Sequence, residues 1–87
     1  MENKDRFESR EIVGKQVVSK SGRKIGMVKD LLYDTRSGEI VYFSIKDPTP
    51  YARELRLEKD EEGDLLAPYA AVISVGDFVV IAEEDLI

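Results

Sequence analysis

Residues 14–45 read GKQVVSKSGRKIGMVKDLLYDTRSGEIVYFSI, and this stretch decides the fold. Three runs rich in β-forming residues are separated by two turns, each of which carries a Ser-Gly pair, at Ser21-Gly22 and Ser37-Gly38. Glycine in a short polar stretch allows the positive φ that tight turns need. The pattern therefore predicts a meander of three antiparallel strands rather than helices.

The middle run departs from strict alternation. Ile25 and Met27 share one parity, whereas Val28 and Leu32 share the other. The change of parity near Lys29-Asp30 predicts a β-bulge or strong bend, which re-aims side chains as a small barrel requires.

Two other residues of this stretch have predictable roles. Gly26 lies inside a strand pattern, where a missing side chain allows another part of the chain to approach closely. Asp34 opens the second turn, so we expect its side chain to accept from backbone N–H groups ahead of it, with Gly38 closing the loop at positive φ.

Beyond this stretch, short strand patterns alternate with turns. Residues 46–53, KDPTPYAR, are expected to form a loop, because two prolines one residue apart each lack the N–H that a strand donates. The remaining pattern predicts a short strand over 55–58, an acidic turn over 59–64, a short strand over 65–67, a helical turn over 68–72 and a strand over 78–81.

These elements predict an all-β, partly open barrel of five or six short strands with one short helical turn. The chain of 87 residues is one domain with a thin core. We place this domain at 12–87, after a flexible, charged N-terminal tail at 1–11 whose only internal apolar residue is Phe7. The predicted core comprises Val17, Ile25, Val28, Leu32, Val41, Phe43, Ile45, Leu57, Leu66, Val72, Ile73, Val79 and Ile81.

The composition argues against catalysis. The chain contains no Cys and no His, so it lacks a thiolate nucleophile and the commonest general base and metal ligand. The acidic stretch formed by Asp60, Glu61, Glu62 and Asp64 does not match the spacing of a twelve-residue calcium loop, and we interpret it as a solvated hairpin. We therefore predict a protein that is not an enzyme and needs no cofactor or metal.

Charge is unevenly distributed. Residues 1–36 carry nine Lys/Arg against six Asp/Glu (+3), and residues 37–87 carry four against twelve (−8), which together give the net charge of −5. The possible basic docking patch comprises Lys15, Lys20, Arg23 and Lys24. It suits an acidic protein surface or an anionic lipid headgroup, or it is a plain solvated turn. Nucleic-acid binding is not expected, because no aromatic residue lies within the patch for base stacking.

The preferred partner-binding candidate is the proline-constrained loop, with Pro48, Pro50, Tyr51 and Arg53. Such loops lose less entropy on docking, and a tyrosine beside an arginine resembles a binding hot spot. The alternative is that Tyr51 folds back onto the barrel.

We also predict a homodimer, because a thin barrel with an apolar last strand has edges and aliphatic side chains to cover. The possible interface comprises Phe78, Val80, Leu86 and Ile87. No apolar run approaches the ~20 residues that span a bilayer, and the N-terminus does not resemble a signal peptide, so we expect a cytoplasmic protein.

The order of several motifs resembles the PRC-barrel domain family, from about residue 12 to residue 81. These motifs are Gly14-Lys15-Gln16-Val17, Gly26-Met27-Val28-Lys29-Asp30, Asp34-Thr35-Arg36-Ser37-Gly38 and Pro68-Tyr69-Ala70-Ala71-Val72. The resemblance implies a small β-barrel that binds proteins, with structural roles for Asp30 at the bend and Asp34 at the turn.

The resemblance also implies a class of function. The size and acidic balance are similar to those of single-domain archaeal PRC-barrel proteins of the cell-division type, which bind the SepF membrane anchor of the tubulin-like division ring. This implies a non-enzymatic adaptor that is recruited to the division site at the membrane. The alternative is an RNA-processing or ribosome-maturation adaptor, as another branch of the family suggests.

Overall fold

The computed structural model describes residues 11–86, so most of the predicted N-terminal tail, with Phe7, and Ile87 of the predicted interface lie outside it. Seven strands are present in this range: β1 (Gln16–Ser19), β2 (Lys24–Tyr33), β3 (Ile40–Lys46), β4 (Glu58–Lys59), β5 (Leu65–Pro68), β6 (Val72–Val75) and β7 (Phe78–Ile81). Among the described residues, Glu11 and Ile12 are helical, one short helix, α1, spans Pro50–Glu54, and two 3-10 turns span Tyr69–Ala71 and Glu83–Leu86.

The seven strands form one sheet in the order β4-β5-β3-β2-β1-β7-β6. Only the β1–β7 pair is parallel, and the other neighbours are antiparallel. The sheet does not close, because β4 and β6 remain as its edges. The prediction of an all-β, partly open barrel is confirmed, although short β4 brings the count above the five or six strands expected.

The predicted features of the first meander are present. The register of β2 on β3 shifts between Val28 and Asp30, so Lys29 is the extra residue of a β-bulge. A Cβ on Gly26 would lie 2.4 Å from Cγ2 of Ile45, which shows how closely β3 approaches there. In the second turn, the carboxylate of Asp34 accepts from the backbone N–H of Arg36 at 2.8 Å.

Most of the predicted core is confirmed. Eight of the thirteen residues are buried, namely Val17, Ile25, Val28, Phe43, Ile45, Leu66, Val79 and Ile81. Leu57 and Val72 are half-buried and pack against them. The sequence analysis missed Ile12, Ala52, Leu55, Leu65, Ala67, Ala71 and Ala82, which are also buried.

Three core predictions are wrong. Val41 and Ile73 are 41% and 52% exposed, because each is the unpaired extra residue where strand register shifts. Such a residue leaves the alternation that parity assumes. Leu32 is only half-buried, and its row of the sheet, with Tyr42 and Pro68, faces away from the core.

The second half of the proline-rich segment is a helix, whereas residues 47–49 are irregular as the predicted loop requires. Thr49 caps α1 by accepting from the N–H of Ala52 at 3.2 Å, and Pro50 occupies the first turn, where its missing N–H costs nothing. The strand predicted over 55–58 is reduced to β4, because Arg56 adopts φ 58° and ends any extended run. Within residues 11–86, no helix is long and apolar enough to cross a membrane.

Candidate functional site

The β1–β2 turn and the C-terminal 3-10 turn meet in a polar cluster. We call this cluster the C-terminal clasp; it comprises Lys20, Ser21, Tyr51, Glu83 and Glu84. Glu83 is its centre, because its Oε1 accepts from the backbone N–H of Lys20 at 3.0 Å while its Oε2 accepts from the Ser21 hydroxyl at 2.9 Å and the Tyr51 hydroxyl at 3.1 Å. Three separate elements are thus joined through one carboxylate.

The hydrogen bonds of the clasp shift the pKa values of Glu83 and Tyr51. The backbone N–H of Glu83 itself, then the hydroxyls of Ser21 and Tyr51, lower the pKa of the Glu83 carboxyl to about 2. Burial, and then the bond to Glu83, raise the pKa of Tyr51. The carboxyl is therefore ionised and the phenol protonated at neutral pH, so neither is poised to exchange a proton with a substrate.

Tyr51, one of the predicted partner-binding residues, is not an exposed anchor. It is half-buried and packs against the core, and the guanidinium carbon of Arg23 lies 3.8 Å from its ring centroid. This is cation–π contact. The structure thus brings together one residue of the predicted loop and one of the predicted basic patch.

The other members of that loop have varied surroundings. Pro48 is half-buried, with its Cα close to Gly26, whereas Pro50 and Arg53 are exposed on α1. Partner binding through Pro48, Pro50, Tyr51 and Arg53 stays a prediction.

The basic patch is partly neutralised by the chain's own acceptors. The Nζ of Lys15 donates to the backbone oxygen of Gly76, and the Nζ of Lys20 pairs with Glu84 at 2.6 Å. This pairing lowers the pKa of Glu84. Arg23 and Lys24 remain exposed.

The predicted dimer residues divide into two groups. Phe78 and Val80 lie on the outer face of β7, directly beside Gln16 and Val18 of β1, and Phe78 is 48% exposed. Leu86 instead packs against the core of its own chain. The outer face of β1 and β7 is therefore the part of the predicted interface that presents apolar side chains.

A shallow groove of about 610 Å³ lies on the outer side of β2, β3 and β5. Its floor includes Leu32 and Leu66, and the acidic turn between β4 and β5 forms one wall. We call it the outer groove. Leu66 is only 8% exposed although it lies outside the core cluster.

Lys29 links the groove to its acidic wall. Its Nζ donates to Asp64 at 2.5 Å and to Glu62 at 3.2 Å, and these bonds, that to Asp64 first, raise the pKa of Lys29. Carboxylate oxygens of Asp60, Glu62 and Asp64 lie within 4.8 Å of one another and could approach a cation. The ammonium of Lys29 already supplies positive charge to two of them, so the cluster alone does not define a metal site.

The fold and the sequence together define the class of protein. Residues 4–86 match the PRC-barrel domain, and the chain belongs to this family. Membership indicates a small adaptor-type domain.

A curated relative has a comparable extent. The chain is similar to the uncharacterized protein MJ1118 of Methanocaldococcus jannaschii, with 33% identity over 73 residues. The match covers 83% of this chain and 76% of that protein.

The sequence analysis missed two residues that organise these surfaces. The sequence pattern assigns no role to Glu83 and places Lys29 only at the bulge. No local signal marks Glu83, because all its partners are 32 to 63 residues away along the chain. For Lys29 the predicted bulge was the one available signal of a special role, since the extra residue of a bulge is left out of the strand pairing.

Proposed function

We propose that this protein is a non-enzymatic adaptor that binds other proteins through the outer surfaces of its barrel. One observation carries the proposal: large apolar side chains stay outside the core of so small a domain, among them Tyr33, Ile73 and Phe78. Adaptor function accounts for this exposure, because apolar side chains on a docking surface become buried when the partner binds. The clasp offers no competing catalytic role, since its carboxylate and phenol are both engaged.

We propose further that the partner is a SepF-like anchor of a tubulin-like division ring. The support is the resemblance to single-domain archaeal PRC-barrel proteins of the cell-division type, together with an archaeal relative of comparable extent. The family hosts other roles as well, so this step is an analogy with one branch of the family. The adaptor would then be cytoplasmic and be recruited to the division site through the anchor.

Isothermal titration calorimetry of the purified protein against the SepF-like protein of the same organism tests this function. We expect saturable one-to-one binding per protomer with a dissociation constant in the micromolar range. Absence of heat and of co-migration on a sizing column, with both proteins folded, overturns the cell-division proposal.

The predicted α1 surface can be tested in the same titration. Arg53→Ala removes an exposed side chain of α1, and Arg36→Ala is the matched control on the distant β2–β3 turn. We expect Arg53→Ala to weaken binding about tenfold if α1 contacts the anchor. Equal affinities of the two variants would remove α1 from the interface without removing the adaptor function.

The ribosome-maturation alternative has less support from the surface. An RNA-binding hairpin needs free cations, whereas Lys15 and Lys20 donate to Gly76 and Glu84. Binding of single-stranded RNA that weakens steeply with salt would favour this alternative instead.

A homodimer is part of the proposal. Val18 and Val80 lie side by side on the outer face, and Phe78 follows them on the same face of β7. Burial of this apolar strip against its symmetry mate would cover it in both protomers, as a two-fold interface requires.

A further inference from the structure

The outer groove is a second apolar surface, separate from the core. Residues directly opposite on neighbouring strands share a face, and successive rows alternate between faces. The row that contains Leu66 also contains Asp30 and Ser44, and the row that contains Leu32 contains Tyr42 and Pro68. The row between them, Leu31–Phe43–Ala67, packs in or against the core. The floor of the groove therefore faces away from the core.

The rim of this groove is strongly acidic. Five carboxylates line it, from Asp30, Asp60, Glu61, Glu62 and Asp64, against the two amines of Lys29 and Lys59, which leaves three negative charges in excess. Because Lys29 is held by Glu62 and Asp64, the carboxylates of Asp30, Asp60 and Glu61 have no bound cation among the described contacts. An apolar floor beneath a negative rim is complementary to an apolar ligand with positive charges.

The geometry points to a docking site for a basic, apolar segment of a partner protein, in which leucine-sized side chains alternate with lysine or arginine. This inference rests on the proposed adaptor function and names the surface and the chemistry of its partner. The groove volume of about 610 Å³ lies within the ~300–1,000 Å³ of sites that bury compact ligands, so a few side chains fit. A second copy of this chain is a poorer match, because the residues beside Phe78 and Val80 on its apolar strip, Gln16 and Val18, are uncharged.

Each part of the segment has a defined place in the groove. Apolar side chains would lie over Leu32, which is half-buried, and displace water from it beside the buried Leu66. Lysine or arginine would reach the carboxylates at the rim, among them Glu61, which is exposed and lies in the turn. Rim charges act mainly on encounter and salt dependence, whereas the floor sets residence time.

The test uses a ten-residue probe peptide in which lysine and leucine alternate between terminal serines, titrated into the ¹⁵N-labelled full chain. A matched peptide carries glutamate in place of lysine. We expect amide shifts for residues 29–32, 44 and 59–66 with the lysine peptide and none with the glutamate peptide. Affinity should fall at least tenfold between low and high salt, since the attraction is electrostatic and screened.

Two substitutions locate the binding. Glu61→Lys reverses a rim charge and should weaken binding about tenfold, whereas Glu54→Lys, on exposed α1, should leave it within about twofold. Leu32→Ala removes apolar side-chain atoms from the floor of the groove and should weaken binding of the lysine peptide about fivefold. Leu32 lies outside the core cluster, so this variant is expected to keep the fold, which the dispersion of its amide spectrum checks.

Several outcomes overturn the inference. Three of them are absence of peptide binding, amide shifts confined to β1 and β7, and equal binding of both peptides. The fourth is amide shifts in the groove that appear when the protein concentration is raised without peptide, because these would assign the groove to a second copy. Calorimetry with the SepF-like protein separates this inference from the proposed function. If that protein binds wild type and Glu61→Lys equally, the adaptor function stands and the groove is wrong.

Discussion

At Gly26 the strand β2 has no room for a side chain. A Cβ there would lie 2.4 Å from Cγ2 of Ile45 and 3.0 Å from the backbone oxygen of Lys46, distances that neither neighbour can relieve without moving β3. We expect Gly26→Ala to lower the free energy of unfolding by about 2 kcal/mol or more, as overpacking of a tight interior does. Urea denaturation of the variant and the wild type measures this change.

Gly76 is the matched control for this substitution. A Cβ on Gly76 meets nothing within 4 Å, so Gly76→Ala should alter stability by no more than about 0.5 kcal/mol. A Gly26→Ala variant that is as stable as Gly76→Ala would contradict the close approach of β3.

Glu83 stabilises the fold by joining the β1–β2 turn, α1 and the C-terminal turn. Glu83→Gln removes the charge from three hydrogen bonds and should lower the free energy of unfolding at pH 7 by about 1–2 kcal/mol, given partial exposure of the side chain. Glu84→Gln is the control, and it should cost much less because both partners of the Lys20–Glu84 pair are more than half exposed.

The pH dependence of this difference has a definite sign. The pKa of Glu83 falls from 4.5 to about 2 on folding, so the native state binds fewer protons than the unfolded state between these values. The contribution of Glu83 is therefore full above pH 4.5 and is lost as the pH falls towards 2. Denaturation curves at pH 7, 4 and 2.5 should show wild type and Glu83→Gln converging; a constant difference would show that the ionised carboxylate is not the cause.

Turn residues with local partners were predictable from the sequence, whereas side chains with distant partners were not. The turn roles of Asp34 and Gly38 follow from contacts within five residues, which composition and spacing reveal. Glu83 and Lys29 acquire their roles only when segments more than 30 residues apart meet. The same limit explains why Tyr51 was assigned to a partner rather than to Arg23 and Glu83 of its own chain.

Among the elements, α1 depends most on a single cap. Thr49 accepts from the N–H of Ala52 through Oγ1 and donates from the same hydroxyl to the backbone oxygen of Lys24 at 2.7 Å. Thr49→Val keeps the shape but loses both bonds, so we expect a loss of about 1–2 kcal/mol in unfolding free energy. Thr49→Ser retains the hydroxyl and should stay within about 0.5 kcal/mol of wild type in the same urea titration.

Strand parity predicted which residues of a strand are buried, but it failed at bulges. The core prediction holds for Phe43 and Ile45 of β3 but fails for Val41, because the ladder skips that residue before Tyr33 and Ile40 pair. Ile73 is skipped in the same way between β6 and β7. The sequence indicated only the bulge at Lys29, where the apolar parity visibly changes, whereas a bulge near a strand end leaves too few residues for a change to be seen.

On the scale of the whole molecule, folding reduces the charge separation along the chain. The basic first part and the acidic second part meet twice, at Lys20 with Glu84 and at Lys29 with Glu62 and Asp64. The charge separation between the two parts of the chain is consequently weaker on the side of the clasp than their net charges imply. Excess negative charge remains at the outer groove, and this places the expected electrostatic steering on that face.

The predicted homodimer is also a property of the whole molecule, and it assigns the outer face of β1 and β7 to a second copy. Phe78 is 48% exposed on this face, and Val18 and Val80 beside it are half-buried. Phe78→Ser should raise the dimer dissociation constant at least tenfold, because it exchanges buried aromatic area for a hydroxyl. Tyr33→Ser, at the end of β2 with 51% exposure, is the matched control and should dimerise as the wild type does. Sedimentation equilibrium over a range of protein concentrations measures the dissociation constants of both variants. A wild type that remains monomeric at high micromolar concentration would remove this face from the interface. A Tyr33→Ser variant that dissociates while Phe78→Ser does not would lead to the same conclusion.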